Sequence, residues 1–326
     1  MAKVFVSALS FSRTNPKPRH MLEEAGHEVI MNEAGRPLTE AELASALEDA
    51  EALIVGVDKV SADVLAKASK LKIIAKHGVG LDNVDVEAAT GQGILVTNAP
   101  GSNSDAVADM TFALLLAVTR GILAADRGVR SQGWPRIKGP EIWQKTLGII
   151  GLGRIGKGVA LRAQGFRMQV LAYDPYADAA WAGREGVTLT DLDTLLRQSD
   201  FVTLNAPLTE STRGLLSRDK LRLMKKTSYL INSARGELID EAALIEALQE
   251  GWIAGAGLDA FLQEPLGESP FTALENVVLT PHLGAYSLEA GENMSRMAAE
   301  AVCALLAGES SEYVVNKEAY QCKAWN

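Results

Sequence analysis

A glycine-spaced turn and one downstream acid have the residue types and spacing to hold a dinucleotide. The run Lys145-Thr146-Leu147-Gly148-Ile149-Ile150 reads as a short apolar strand and passes straight into Gly151-Leu152-Gly153-Arg154-Ile155-Gly156. Helical character follows to about Gly165, and a second apolar run, Met168 to Tyr173, ends on Asp174. That acid stands 23 residues after the first glycine, close to the roughly 20 of a dinucleotide fingerprint. Gly151 permits a tight turn, Gly153 lets the backbone approach a pyrophosphate, and Gly156 lets the helix pack on the sheet. The helix start at Arg154 and Ile155 offers N–H groups and a positive dipole end to phosphates. Asp174 can accept bonds from ribose hydroxyls and repels a 2′-phosphate, which favours NAD over NADP. A purely structural glycine turn is the other reading.

Two further residues could do chemistry on a bound ligand. Arg235, in Asn232-Ser233-Ala234-Arg235-Gly236, directly follows an apolar run and could fix an anion. His282, in Thr280-Pro281-His282-Leu283-Gly284, also follows one and could move a proton. Their bland readings are a surface salt bridge and a satisfied core histidine. Asp259, in Gly257-Leu258-Asp259-Ala260, has the bland reading of a turn or helix-capping aspartate.

The elements that must position these residues alternate. Strands are expected at Val4–Leu9, Glu28–Met31, Ala52–Val57, Leu71–Ala75 and Ile94–Thr97. Helices are expected at Pro18–Ala25, Thr39–Ala50, Ser61–Ser69 and Val86–Thr90, with Thr39 and Glu42 forming a capping box. Asn103–Gly121 reads as a long buried helix, a candidate bridge between domains, and residues 122–144 read as a polar, irregular arm. After the fingerprint come strands at Phe201–Asn205, Ser228–Asn232, Ala254–Leu258 and Val277–Thr280, then a long apolar-rich helix, Ser287–Ala307. Such alternation implies parallel sheets covered by helices on both faces. The dinucleotide fold starts near residue 145, so a second α/β domain precedes it, and the last helix could return to close that domain.

Composition narrows the function classes. The chain has 326 residues and a net charge of −9, which argues against nucleic acid or an anionic membrane as partner. No apolar run reaches bilayer-spanning length, and the N-terminus enters a strand rather than a signal peptide. Two cysteines, Cys303 and Cys322, give no disulfide framework and fit a reducing cytoplasm. The scattered histidines and cysteines form no metal-ligand pattern, and the G-x-S-x-G elbow of a hydrolase is missing.

The stretches KHGVGLDNVDVEAA, GILVTNAPGSNS, GLGRIG, INSARGELIDEAAL, GLDAFLQEP and TPHLGA occur in order between about residues 71 and 290. Together they resemble the D-isomer-specific 2-hydroxyacid dehydrogenases, closest to the phosphoglycerate dehydrogenase branch. The resemblance implies an α/β chain of two doubly wound parallel-sheet domains. A Rossmann-type NAD domain (99–285) would be inserted in a flavodoxin-like substrate domain (1–98 and 286–326). It also implies a cleft between domains, a homodimer built mainly through cofactor domains, NAD as cofactor, and a small anionic 2-hydroxy or 2-keto acid as substrate.

It assigns roles as well. Arg235 would hold substrate carboxylate and ketone, and His282 would be the acid/base. Glu264, before Pro265, would pair with His282 and raise its pKa toward working pH. Besides the fingerprint, Pro207, Thr212, Ser233, Ala234, Asp259, His282, Gly284 and Ala285 would contact the cofactor. Lys76, His77, Val79 and Gly80 would contact the substrate, with Val79 and Gly80 offering N–H groups to its carboxylate. Lys76 stands where the branch tends to carry arginine, which counts against a phosphorylated substrate. His77 and Tyr286 replace small residues and either reshape the pocket or fill it. The chain stops soon after its last helix, so an appended regulatory domain and serine feedback are not expected.

The leading reading is an NAD-dependent enzyme interconverting a D-2-hydroxy acid and its keto acid, on 3-phosphoglycerate/phosphohydroxypyruvate or on glyoxylate or hydroxypyruvate. A corepressor-like protein that senses NAD is the alternative from another class. An L-2-hydroxyacid dehydrogenase would carry its fingerprint near the N-terminus, and a formate dehydrogenase-like enzyme would carry Gln at position 264.

Overall fold

The computed structural model describes residues 1–322, and the chain divides into two compact units. The first comprises Met1–Asn103 with Ala285–Asn326, the second Ser104–Gly284. Residues just past the last strand of the opening segment stay with the first unit: Asn98 donates its N–H to the Tyr313 carbonyl, and Ala99 donates to that of Gly78.

In the first unit the chain runs β1 (Lys3–Val6), α1 (Lys17–Glu24), β2 (Glu28–Met31), α2 (Glu40–Ala46), β3 (Ala52–Val55), α3 (Ala62–Lys67), β4 (Ile73–Lys76), α4 (Val86–Gly91) and β5 (Leu95–Thr97). The strands are parallel in the order β2-β1-β3-β4-β5. Strand periodicity sends Val4, Val6, Ile54, Ile73 and Ala75 to one face and Phe5, Leu53, Val55 and Ile74 to the other. Both faces are therefore apolar, as a doubly covered parallel sheet requires. The capping box at Thr39 and Glu42 forms as read.

The second unit continues with α5 (Ser104–Thr119), α6 (Ile122–Arg130), β6 (Thr146–Ile150), α7 (Arg154–Gly165), β7 (Gln169–Tyr173), α8 (Ala179–Arg184), β8 (Val187–Leu189), α9 (Leu192–Gln198), β9 (Phe201–Leu204), α10 (Arg218–Leu221), β10 (Tyr229–Asn232), α11 (Glu241–Gln249), β11 (Gly255–Leu258) and β12 (Val277–Leu279). Its seven parallel strands lie in the order β12-β11-β10-β9-β6-β7-β8. The order reverses between β9 and β6, which is where open α/β sheets take their ligands. Helix α12 (Leu288–Leu306) then belongs to the first unit, where Ala298, Ala299, Val302 and Leu305 pack with α1 and the sheet.

One expectation is corrected. Residues 122–144 are not irregular throughout, because the first nine form α6. Its composition explains this: Ala124 and Ala125 favour helix, and Asp126 and Arg130 form an i,i+4 ion pair. None of its residues is buried, and its apolar residues Ile122, Leu123 and Val129 are exposed. No single described helix is long and apolar enough to cross a membrane. The α5–α6 pair meets that criterion only jointly, bent by 63°, and α5 is largely buried in its own unit.

Candidate active site

The glycine turn is built as its spacing requires. Gly151 has φ +94°, and a Cβ there would lie 2.5 Å from the Ala206 nitrogen; at Gly156 it would lie 2.1 Å from the Gly151 carbonyl oxygen. Both glycines are demanded by the protein's own backbone. Gly153 differs: a Cβ there would meet nothing within 4 Å, so this glycine keeps open a cradle at the start of α7, where the first-turn N–H groups have no partner within the helix. Asp174, just past β7, accepts from the Leu152 N–H at 2.8 Å and the Tyr176 N–H at 2.8 Å. The carboxylate is thereby fixed beside the cradle. These residues fit a dinucleotide, with pyrophosphate at Gly153–Gly156 and ribose at Asp174.

Across the same carboxyl edge, three loops carry the ionisable residues. After β10, buried Asn232 turns its amide back on its own loop, accepting from the Ala234 N–H and donating to the Arg235 carbonyl. Gly236 must be glycine, since a Cβ would lie 2.1 Å from the Phe261 carbonyl carbon. That close approach joins the Arg235 turn to the loop of Glu264. Ser233 is buried against Thr111 of α5, oxygen to oxygen 2.8 Å.

His282 Nδ1 lies 2.8 Å from Glu264 Oε2, with side chains 41% and 38% exposed. Glu264 Oε1 accepts the Phe261 N–H. Burial alone would raise the Glu264 pKa. The bond to His282, the Phe261 N–H, and the charges of His282 and Arg235 outweigh it, and the carboxyl is held below its ordinary range. His282 has φ +54°, a conformation that non-glycine residues seldom adopt. Asp259, 1% exposed, holds it there: its carboxylate accepts from Thr280 Oγ1 at 2.6 Å and from the Leu283 and Gly284 N–H groups at 2.7 Å each. Asp259, expected to touch the cofactor, has these three bonds to the histidine loop. Thr280, Asn232 and Gly236 as supports were missed; a polar or glycine residue ending an apolar strand was the available signal.

Thr212 closes its own loop, donating to the Pro207 carbonyl and accepting the Thr209 N–H. Ala285 belongs to the first unit.

In the first unit, Lys76 Nζ donates to the Gly56 carbonyl at 2.5 Å and to Asn83 Oδ1 at 2.6 Å. The Gly78 carbonyl is taken by the Ala99 N–H and that of Val79 by Asn98 Nδ2, both at 2.8 Å. In a trans peptide the N–H points opposite the carbonyl, so pinning these oxygens turns the Val79 and Gly80 N–H groups to the other side. Among the described residues neither has an acceptor. His77 is buried in its own unit, and Tyr286 is exposed. Among the described residues no group of three or more His, Cys, Asp or Glu side chains could hold a metal ion.

A family model for the D-isomer specific 2-hydroxyacid dehydrogenase NAD-binding domain matches residues 112–284. A glyoxylate reductase from Thermofilum pendens is 42% identical over 328 residues, covering 97% of this chain and 95% of that protein. A D-3-phosphoglycerate dehydrogenase from Methanocaldococcus jannaschii is 46% identical over 300 residues, covering 91% of this chain but only 56% of that longer protein. Among solved structures, the TT0316 protein from Thermus thermophilus superposes with a TM-score of 0.88 at 38% identity, covering 96% of this chain and 99% of that one. The chain belongs to the D-isomer-specific 2-hydroxyacid dehydrogenase family. Its second unit carries that family's NAD-binding domain.

Proposed function

We propose that this chain interconverts a D-2-hydroxy acid and its 2-keto acid with NAD as the redox partner. The observation that carries the reading is the Glu264–His282 pair at 2.8 Å, with the Arg235 charge acting on the same carboxylate. Bound NADH supplies the hydride. Arg235 holds the substrate carboxylate and the ketone oxygen, where negative charge develops. His282, with Nδ1 on Glu264, delivers a proton from Nε2 to that oxygen, or takes it in the reverse direction. Ionised Glu264 holds the imidazole through Nδ1 and leaves Nε2 for the substrate. Val79 and Gly80 offer their paired N–H groups to the substrate carboxylate. Asp174 selects NAD over NADP.

A purely NAD-sensing protein would not require an acid/base pair held at a strained backbone position. We further place the protein in the cytoplasm as a homodimer. Free Cys303 and Cys322 suit a reducing compartment. Exposed Ile122, Leu123, Val129, Trp134, Ile137 and Trp143 give segment 122–143 an apolar surface for a second copy, whereas Ile142 is already buried in its own unit. Oxidation of NADH at 340 nm with glyoxylate, hydroxypyruvate, phosphohydroxypyruvate and pyruvate tests the activity, and no turnover with any of them refutes it. Sedimentation tests the dimer.

A further inference from the structure

The first unit holds a histidine that the proposed chemistry does not use, directly before the paired N–H groups. His77 is 6% exposed. Its backbone N–H donates to the Val55 carbonyl at 2.8 Å. Its ring meets the edge of Phe11, centroids 6.1 Å apart. Nε2 lies 2.9 Å from Ser295 Oγ on α12, and Nδ1 lies 3.4 Å from Ser10 Oγ.

One hydrogen arrangement serves every partner at once. The Ser295 hydroxyl donates its one proton to the Gly291 carbonyl at 2.7 Å and accepts the Ser12 N–H at 3.2 Å. In that arrangement it accepts from His77, so Nε2 carries the proton and Nδ1 is the acceptor for Ser10, with the His77 and Gly291 carbonyls also beside the ring. Burial, and then the charge of Lys76, lower the ring's pKa to about 4, so it is neutral at working pH. One ring thus joins three segments: the end of β4, the loop after β1, and the second turn of α12.

We infer that His77 is a positioning residue: a neutral, Nε2-protonated strut that braces the Gly78–Gly80 loop against α12 and so sets the aim of the Val79 and Gly80 N–H groups at the substrate carboxylate. Three tethers act on this loop. Ala99 and Asn98 hold its carbonyls, and His77 holds its entry. Removing the ring leaves the N–H groups present but free to swing, which weakens substrate capture while leaving the cofactor cradle of the other unit untouched.

This rests on the assignment of the loop to the substrate carboxylate, and the test separates the two. Measure kcat and KM for glyoxylate and for NADH in wild type, His77→Leu, His77→Gln and Ser295→Ala, with the Tm of each. His77→Leu should raise the glyoxylate KM about tenfold or more with the NADH KM within about twofold. His77→Gln, which can still donate to Ser295, should restore the glyoxylate KM to within about threefold of wild type. Ser295→Ala should lie between. A folded His77→Leu with an unchanged glyoxylate KM, or with both KM values raised equally, overturns the inference. A wild-type chain that reduces no keto acid overturns the functional assignment instead. Should His77→Leu fail to fold, Ser295→Ala supplies the kinetic test. In the wild type, imidazole 15N shifts at pH 7 should show His77 as the neutral Nε2–H tautomer, and an Nδ1–H or charged ring overturns the strut.

Discussion

His77 and His282 each stand shortly past the carboxyl end of a parallel strand, and their surroundings give them opposite chemistry. His77 follows β4 and is enclosed by Phe11, Ser10 and Ser295. Every partner is neutral, and burial drives its pKa down to about 4. His282 follows β12, stays 41% exposed, and meets a carboxylate. The backbone differs as well. His77 keeps an ordinary conformation, whereas His282 is held at φ +54° by three bonds to Asp259. A ring among neutral partners braces a loop. A ring aimed outward beside a charge can exchange a proton. The comparison teaches that position after a strand sets only the address, and that partners and burial set the role.

Replacing His282 should separate the two residues most sharply. His282→Ala should lower kcat by about 10² to 10⁴ through loss of general acid/base catalysis, with NADH binding kept. A loss confined to KM would place His282 with the braces. Asp259→Asn tests whether the strained conformation matters. An amide cannot accept both loop N–H groups as the carboxylate does, and the left-handed state costs on the order of 1–3 kcal/mol, so kcat should fall about 5- to 100-fold. An unchanged kcat would show that the turn holds itself.

Cofactor choice bears on whether the second unit's carboxylates act on ligands rather than only on loops. Wild type should prefer NADH by about tenfold or more in kcat/KM, and Asp174→Ala should narrow the gap. Equal use of NADPH by the wild type would leave Asp174 as a turn residue only.

Glu264→Gln keeps a hydrogen bond to the ring but loses the negative charge beside it, so kcat for keto-acid reduction should fall about tenfold or more with the NADH KM kept. An unchanged kcat would show that Glu264 serves only its own loop. The smallest effect belongs to His77. Its folded pKa of about 4 lies below the ordinary 6.5, so its stabilising contribution is complete above about pH 6.5 and is lost as pH falls toward 4. Across that window the unfolding free energy should drop more steeply in wild type than in His77→Gln, with a difference in slope approaching about 1.4 kcal/mol per pH unit. Parallel curves would contradict the buried neutral ring.

Much of this was legible in the chain alone, for local reasons. The turn from Gly151 to Gly156 follows from backbone sterics within a few residues, and Asp174 follows from the length of one helix and one strand. The alternation of strand and helix follows from apolar period. Helix α6 carries Ile122, Leu123 and Val129 at helical spacing, but it is short and runs into the irregular segment behind it, which hides that spacing. The family resemblance supplied the pairing of Glu264 with His282, 18 residues apart; the tertiary structure alone decided that His77 meets Ser295, 218 residues away. It also decided that Asp259 grips the His282 loop and that Gly236 admits the Phe261 backbone. Such contacts depend on where loops from separate strands converge at a sheet edge, and no spacing along the chain encodes that convergence.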